Sequence, residues 1–232
     1  MSNTKPGSSA VGEGGLRSND YESKRQSLAN WLCNMENEGK DKSDLMNRLG
    51  VPERFQRATV TDLLDWPQGE LAAALDHNAG VFLTGNVGVG KSYAAAALMS
   101  YLLPKSIAPK RTEGYAHPEA IVAARWLGVP MLLCNLRSTF GRDTGPDENS
   151  IVHDLTTIKL LVLDDLASER VTDWTAATVR LIVNTRLDKC LRTIVTSNLT
   201  LTEIDAYDPR LASRLGALRY VQIKGEDRRQ EK

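Results

Sequence analysis

The feature that most constrains the fold of this chain is a glycine-rich stretch, Gly85 to Ser92, between two apolar segments. It reads GNVGVGKS, follows the run Val81-Phe82-Leu83-Thr84 and precedes an alanine-rich segment from Tyr93 to Met99. Two fixed glycines followed by lysine and a hydroxyl residue form the pattern of a phosphate-binding loop between a strand and a helix. The stretch therefore predicts an α/β protein that binds a nucleotide.

Each residue type in this loop has a physical role. Glycine allows positive φ, so that backbone N–H groups turn toward an anion, and the helix N-terminus that follows adds partial positive charge. Lys91 is predicted to reach the β and γ phosphates, and the Ser92 hydroxyl is predicted to ligate Mg²⁺. The residues predicted to bind the nucleotide are Gly85, Asn86, Val87, Gly88, Val89, Gly90, Lys91, Ser92 and Tyr93.

Length and composition set outer limits on the class of protein. The 232 residues suffice for one α/β domain with an appendage. Lys plus Arg and Asp plus Glu both number 29, so nucleic-acid binding would require a local basic patch. The three cysteines form no CxxC pair, which favours a reducing compartment over a disulfide frame or a zinc site. With no apolar run near 18 residues, we expect a cytoplasmic protein without a membrane partner.

The chain divides into three parts. Residues 1–20 are rich in glycine and serine and predict a disordered tail. Residues 21–49 have apolar residues at helical spacing, which predicts a small helical appendage that is either docked on the main domain or a surface for a partner protein. Residues 50–232 form the main domain. Within it, residues 105–128 predict an irregular connection of unusual length.

Apolar runs that alternate with helical patterns predict a parallel sheet covered by helices on both faces. A helix is predicted from Trp174 to Leu187. The predicted strands after the first are Met131 to Cys134, Lys159 to Leu163, Thr193 to Thr196, and Tyr220 to Ile223.

Polar residues follow two of these strands. Asp164 and Asp165 end the run LLVL, and Asn198 follows TIVTS. Ligands of open α/β sheets bind beyond the carboxyl ends of the strands. We therefore expect Asp164 to hold Mg²⁺, Asp165 to orient the attacking water, and Asn198 to sense the γ phosphate. The alternatives are acids that only cap a strand and an asparagine that only forms a turn.

Two arginines, Arg210 and Arg214, lie four residues apart in the segment PRLASRL, on one face of a short predicted helix. An arginine from a neighbouring subunit can stabilise the transition state of phosphoryl transfer. The alternative is that both side chains are simply solvated.

Several motifs of this chain, taken in order, resemble those of the DnaC/IstB-type AAA+ ATPases. They are GNVGVGKS, LLVLDDL, TIVTSNLT and DPRLASRL, with GVPERFQRATVTDL before the first strand and IKGEDRR at the end. The members of this family are bacterial and phage replicative helicase loaders and the helper ATPases of certain transposons. The resemblance covers roughly residues 50–229. It implies a five-stranded AAA+ sheet of order 5-1-4-3-2, little or no lid domain, and ATP-dependent self-assembly.

The same resemblance implies roles for individual residues. Lys91 and Ser92 belong to Walker A, Asp164 and Asp165 form Walker B, and Asn198 is sensor 1. Arg214 is the arginine finger with Arg210 beside it, and Arg229 matches a terminal basic position. The chain departs from the AAA+ pattern in having Asp rather than Glu at 165, which predicts slow hydrolysis. Residues 105–125 are longer than the usual connection.

A helicase loader of this kind would bind ATP·Mg²⁺, grip single-stranded DNA and hold a hexameric replicative helicase through residues 21–49. Basic residues interleaved with aromatic ones are candidates for DNA contact, although Phe140 and Trp174 could equally be core residues. The candidates are Arg137, Phe140, Arg142, Arg170, Thr172 and Trp174. The alternatives are a transposase helper that binds duplex DNA and a nucleotide-switched DNA-binding protein with negligible turnover.

Overall fold

The computed structural model describes residues 26, 30, 40–63, 79–112, 115–138, 147–166 and 173–227. The helices are α1 (Lys40–Arg48), α2 (Lys91–Leu102), α3 (Val129–Ser138), α4 (Glu148–Leu155), α5 (Asp173–Asp188), α6 (Leu201–Asp205) and α7 (Pro209–Leu215). The strands are β1 (Gly80–Thr84), β2 (Ile107–Thr112), β3 (Tyr115–Val122), β4 (Ala124–Gly128), β5 (Leu160–Leu166), β6 (Arg192–Ser197) and β7 (Arg219–Gln222). No helix within these ranges is both long and apolar enough to cross a membrane. The predicted tail 1–20 lies outside them.

The main sheet is parallel and has the order β4-β5-β6-β1-β7. Counted in chain order among these five strands, the sheet reads 5-1-4-3-2 from the β7 edge to the β4 edge, which confirms the predicted order. The strand that precedes the phosphate loop, β1, is flanked by β6 and β7. Its carboxyl end therefore lies beside that of β6.

The sheet separates two hydrophobic cores because successive residues of a strand point to opposite faces. In β5, Leu160 and Val162 face the first core, while Leu161 and Leu163 face the second. Helices α1 and α2 supply the first core, and α3, α5 and α7 supply residues of the second. This is the covering on both faces that near-continuous apolar strands predict.

Helix α1 packs directly on the main domain. Leu45, Met46 and Leu49 belong to the first core, and Met46 is fully buried. The Trp126 N–H donates to the Leu49 carbonyl at 2.8 Å, which links the end of α1 to β4. The opposite side of α1, with Asp44, Asn47 and Arg48, is exposed.

The structure corrects two predictions in the middle of the chain. The run Met131 to Cys134 lies in helix α3 rather than in a strand, and the second strand of the main sheet is β4, seven residues earlier. The irregular connection predicted at residues 105–128 is instead a turn, an antiparallel pair β2–β3 and then β4. Both strands of the pair contain proline, Pro109 and Pro118, and proline within a run ordinarily argues against a strand.

A buried guanidinium joins several helices and strands on the side of the sheet that holds the second core. Arg186 of α5 is fully buried and donates to the carbonyls of Leu155, Ile158 and Arg192 at 2.6, 2.8 and 2.7 Å. It also donates to the Thr193 hydroxyl at 2.9 Å. Burial lowers the pKa of Arg186 to about 9, so the group stays charged at neutral pH. One side chain thus ties α5 to the end of α4 and the start of β6.

Replacing Arg186 with methionine keeps an apolar stem and removes every donor, so the carbonyls lose their partners. Because each unsatisfied buried polar group costs about 1–3 kcal/mol, we expect the free energy of unfolding to fall by at least about 3 kcal/mol. The free energy of unfolding of Arg186→Lys should lie between those of Arg186→Met and the wild type. Urea unfolding measures these values. The exposed Arg125→Gln serves as control, and a change as small as that control would contradict the assignment.

Candidate nucleotide-binding site

The phosphate loop connects β1 to α2, as the sequence predicts. Helix α2 begins at Lys91, directly after Gly90, whose φ is 96°. Gly88 has a φ of 84°, a conformation that residues with a Cβ rarely adopt. The loop therefore turns sharply into the N-terminus of α2, where free N–H groups favour anions.

The lysine of the loop lies against the loop's own backbone. Lys91 is 8% exposed, and its ammonium donates to the Gly85 carbonyl at 2.9 Å and the Asn86 carbonyl at 2.7 Å. These contacts bring a positive charge to the start of the loop. A nucleotide phosphate is a stronger acceptor for an ammonium than a neutral carbonyl.

The two acids lie on a bulge in β5. Leu163 pairs with Val195 and Leu166 pairs with Ser197, so Asp164 and Asp165 together oppose Thr196 alone. Asp165 has a φ of 64°, which is uncommon for a residue with a side chain. A bulge re-aims side chains at the end of a strand, and here it affects both acids.

Thr196 holds this bulge in place. Its hydroxyl donates to Asp164 Oδ1 at 2.7 Å and accepts from the Asp165 N–H at 2.9 Å. Ser197 donates to the Leu166 carbonyl at 2.8 Å, which fixes the strand just beyond the bulge. The carboxyl ends of β5 and β6 are thus joined by side chains as well as by the backbone ladder.

Asp164 also reaches the phosphate loop. Burial raises the pKa of Asp164, and the hydrogen bonds from the Thr196 and Ser92 hydroxyls oppose that rise. The two residues predicted to ligate Mg²⁺, Ser92 and Asp164, therefore lie close enough for the hydroxyl to affect the carboxylate. Hydroxyl and carboxylate oxygens suit this hard cation.

Asn198 lies beside the second acid. Its Nδ2 is 3.5 Å from Asp165 Oδ1, at the limit of a hydrogen bond. The segment around it is fixed, because the Thr84 hydroxyl donates to the Leu199 carbonyl at 2.7 Å. The structure thus brings Asn198 to the same edge of the sheet as the acids and the loop.

Tyr93 has a protein partner in this structure. Its hydroxyl donates to Asp62 Oδ2 at 2.6 Å, within the 3-10 turn Val60–Leu63. Burial and the Asp62 carboxylate raise the pKa of Tyr93 to about 12. The contact ties the first turn of α2 to the segment that precedes the sheet.

Arg210 and Arg214 line a different region. They lie in α7 and, with residues of α5, border a pocket of about 630 Å³. Both side chains are exposed, and no described residue of the phosphate loop or the acid pair lines this pocket. The two arginines are therefore exposed at a pocket that the described residues of their own chain's loop do not line.

Of the candidate DNA-contacting residues, the structure describes Arg137 and Trp174. The Arg137 guanidinium carbon lies 5.4 Å from the centre of the Trp174 ring, within range of a cation–π contact. Trp174 is half-buried and packs against the second core, and Arg137 is exposed. Phe140, Arg142, Arg170 and Thr172 lie outside the described residues, as does Arg229.

One neighbour of the loop was missed by sequence reasoning. A Cβ at Gly88 would lie 1.9 Å from Asp227 Oδ1, so the carboxylate of the C-terminal segment lies against the loop. A Cβ at Gly85 would meet the Ile223 carbonyl at 2.3 Å. The segment after β7 therefore packs on the outside of the loop. No local pattern around Asp227 predicts a contact across so much of the chain.

The sheet order, the loop and the bulged acid pair define a P-loop NTPase core of the AAA+ type. No protein-family model matches the chain. The chain is 25% identical over 121 residues to the replicative helicase loader DnaC of Buchnera aphidicola, a match that spans 52% of this chain and 43% of that protein. The chain thus spans less than half the length of this relative.

Solved structures show the same fold. A structure of DnaI is 19% identical, with a TM-score of 0.54 over 75% of this chain and 94% of that one. A structure of the DnaC helicase loader is 22% identical, with a TM-score of 0.51 over 75% of this chain and 100% of that one. These findings confirm the resemblance to DnaC/IstB-type AAA+ ATPases that the motifs indicate.

Replacing Asp164 with asparagine tests the metal position. Because burial raises the pKa of Asp164, the carboxylate is less stable in the folded chain than in the unfolded chain at neutral pH. An amide keeps the acceptor for Thr196 and removes the charge. The melting temperature without nucleotide should therefore rise.

The same variant should lose the stabilisation that ATP and Mg²⁺ together give over ATP alone. Thermal unfolding with each ligand measures both effects. Thr196→Val is the matched control for loss of the hydroxyl contact without loss of the charge. A lower melting temperature together with full Mg²⁺ dependence would contradict the assignment.

Proposed function

We propose that this protein is an ATP-dependent loader of the replicative DNA helicase onto single-stranded DNA. The observation that carries the proposal is the joint arrangement of Ser92, Asp164 and Thr196, which aligns a phosphate loop with a bulged acid pair. The similarity to helicase loader DnaC supports the choice of task. The ATPase activity, the partners and the residue roles below are part of this proposal.

The site residues fit ATP·Mg²⁺. The loop glycines with positive φ, the N-terminus of α2 and Lys91 would hold the phosphates. Ser92 and Asp164 would hold Mg²⁺, which when bound would neutralise charge on the phosphate oxygens. Asp165 would orient the attacking water, with Asn198 beside it. The short Asp165 side chain on a strained backbone supports slow turnover.

The arginines of α7 would act on a neighbouring copy. Arg210 and Arg214 are exposed and line a pocket that no described residue of their own phosphate loop borders. Arg214 would stabilise negative charge at the nucleotide of the next subunit, with Arg210 beside it. Hydrolysis would then require a homo-oligomer. The structural support is the exposure of both arginines on this helix.

The helicase would bind through residues 21–49. The apolar side of α1 is committed to the first core, which leaves Asp44, Asn47 and Arg48 as the exposed side. Charged residues on an exposed surface of this kind affect the choice of partner and the association rate more than the affinity. The helicase contact would therefore include this side of α1.

Single-stranded DNA would bind near the Arg137–Trp174 pair. A guanidinium beside an indole ring offers a positive charge for the phosphates and an aromatic ring for stacking with a base. Phe140, Arg142 and Thr172 are proposed to extend this surface. The partial burial of Trp174 also supports a share in core packing.

The test is size-exclusion chromatography with light scattering on the protein and the replicative helicase of its own source, with ATP and with ADP. We expect an assembly larger than the helicase hexamer with ATP. The double variant Asp44→Lys/Arg48→Glu should slow the formation of that assembly and lower its yield, because it reverses both charges on the exposed side of α1. The control variant Asp205→Lys/Arg125→Glu changes charges of the same kind elsewhere and should retain it.

A second measurement on the same samples separates the alternatives. Helicase-dependent unwinding of forked DNA should require the protein and ATP. Absence of a helicase complex, together with ATP-dependent binding to duplex DNA, would instead favour a transposase helper. A helicase complex without detectable phosphate release would favour a nucleotide switch, for which the short Asp165 side chain is the specific reason.

A further inference from the structure

An ion pair beside the proposed arginine finger carries an inference about how that arginine is positioned. Arg180, in the middle of α5, donates from Nη1 to Asp208 Oδ2. The Asp208 side chain is 7% exposed and the Arg180 side chain is 29% exposed. Arg180 also lines the pocket that Arg210 and Arg214 border.

The second oxygen of the same carboxylate caps α7. Asp208 is the N-cap residue, and its Oδ1 accepts from the Leu211 N–H at 3.0 Å. Pro209 follows at the first helical position, where the lack of an N–H has no cost. One carboxylate therefore both starts α7 and attaches its N-terminus to α5.

Such an attachment matters because α7 has only seven residues. A helix this short is not stable alone, and its direction is set by packing and caps. Leu211, Ala212 and Leu215 pack into the second core on the inner side. The Arg180–Asp208 pair holds the N-terminal end of α7, two residues before Arg210 and less than two turns before Arg214.

We infer that the Arg180–Asp208 pair positions α7 so that Arg214 reaches the nucleotide of the neighbouring subunit. This inference rests on the proposed function. Arg180 and Asp208 are positioning residues and do not touch the nucleotide. Loss of Arg180 leaves a nearly buried carboxylate without its cation, and the helix then loses its fixed direction while its core contacts remain.

The first measurements are ATP turnover and ATP affinity of single variants. Arg180→Gln should lower turnover by about tenfold, since a misplacement of about 1 Å can cost as much as 10²-fold in rate. The affinity for a fluorescent ATP analogue should stay within about twofold, because the variant's own phosphate loop is unchanged. Asp208→Asn keeps an amide oxygen for the cap and should lose less turnover than Asp208→Ala. Arg125→Gln is the exposed control.

The decisive measurement mixes two variants. Asp165→Asn inactivates its own site but keeps α7 intact, so it can supply Arg214 to an Arg180→Gln neighbour. We expect the rate of ATP hydrolysis of a 1:1 mixture to be well above the sum of the rates of the two variants measured separately. A role of Arg180 in folding alone would affect both sites of its chain and give no such recovery.

The mixture of Arg214→Ala with Asp165→Asn separates this inference from the proposed function. If that mixture recovers and the Arg180→Gln mixture does not, the positioning role is overturned alone. If neither mixture recovers, the action of Arg214 across the interface is overturned, and the positioning role with it. Wild-type turnover in Arg180→Gln would also overturn the positioning role.

Discussion

The hydroxyl of Thr196 is the contact on which the geometry of the candidate site depends. It lies opposite a bulge of two acids, donates to one and accepts from the backbone of the other. Without it, the buried Asp164 carboxylate would lose a hydrogen-bond donor, and Asp165 would lose a support for its positive φ. Backbone strain of this kind persists where the surroundings over-determine it, and it concentrates at functional sites.

This contact extends to the phosphate loop through Ser92. The Ser92 hydroxyl opposes the rise in the pKa of Asp164, so the first turn of α2 lies beside the end of β5 and the loop, helix and acid pair form one site. The site exists because β1, β5 and β6 run parallel with their carboxyl ends at one edge. Asp227 and the segment after β7 pack against the same loop from outside. The charges at this edge are therefore more mixed than the loop sequence alone indicates.

Sequence patterns predicted the parts of the molecule that follow local rules. The apolar runs of β5 and β6, the loop and α5 all have unambiguous spacing. The run Met131 to Cys134 does not, because four apolar residues suit a buried strand and a buried helix turn equally. The hairpin β2–β3 was missed because Pro109 and Pro118 argue against strands. The bulge at Asp165, the Arg180–Asp208 pair and the Asp227 contact arise between distant segments, and no local pattern encodes them.

The central claim, that the loop and acid pair form a magnesium-nucleotide site, is tested most directly by titrating the protein with a fluorescent ATP analogue in the presence of Mg²⁺. Lys91→Ala should weaken binding by at least about tenfold, a loss of about 1.4 kcal/mol. The variant should still unfold in one cooperative transition without nucleotide, and the exposed Lys105→Ala should bind as the wild type does. Equal affinity of Lys91→Ala and wild type, with both proteins folded, would contradict the claim.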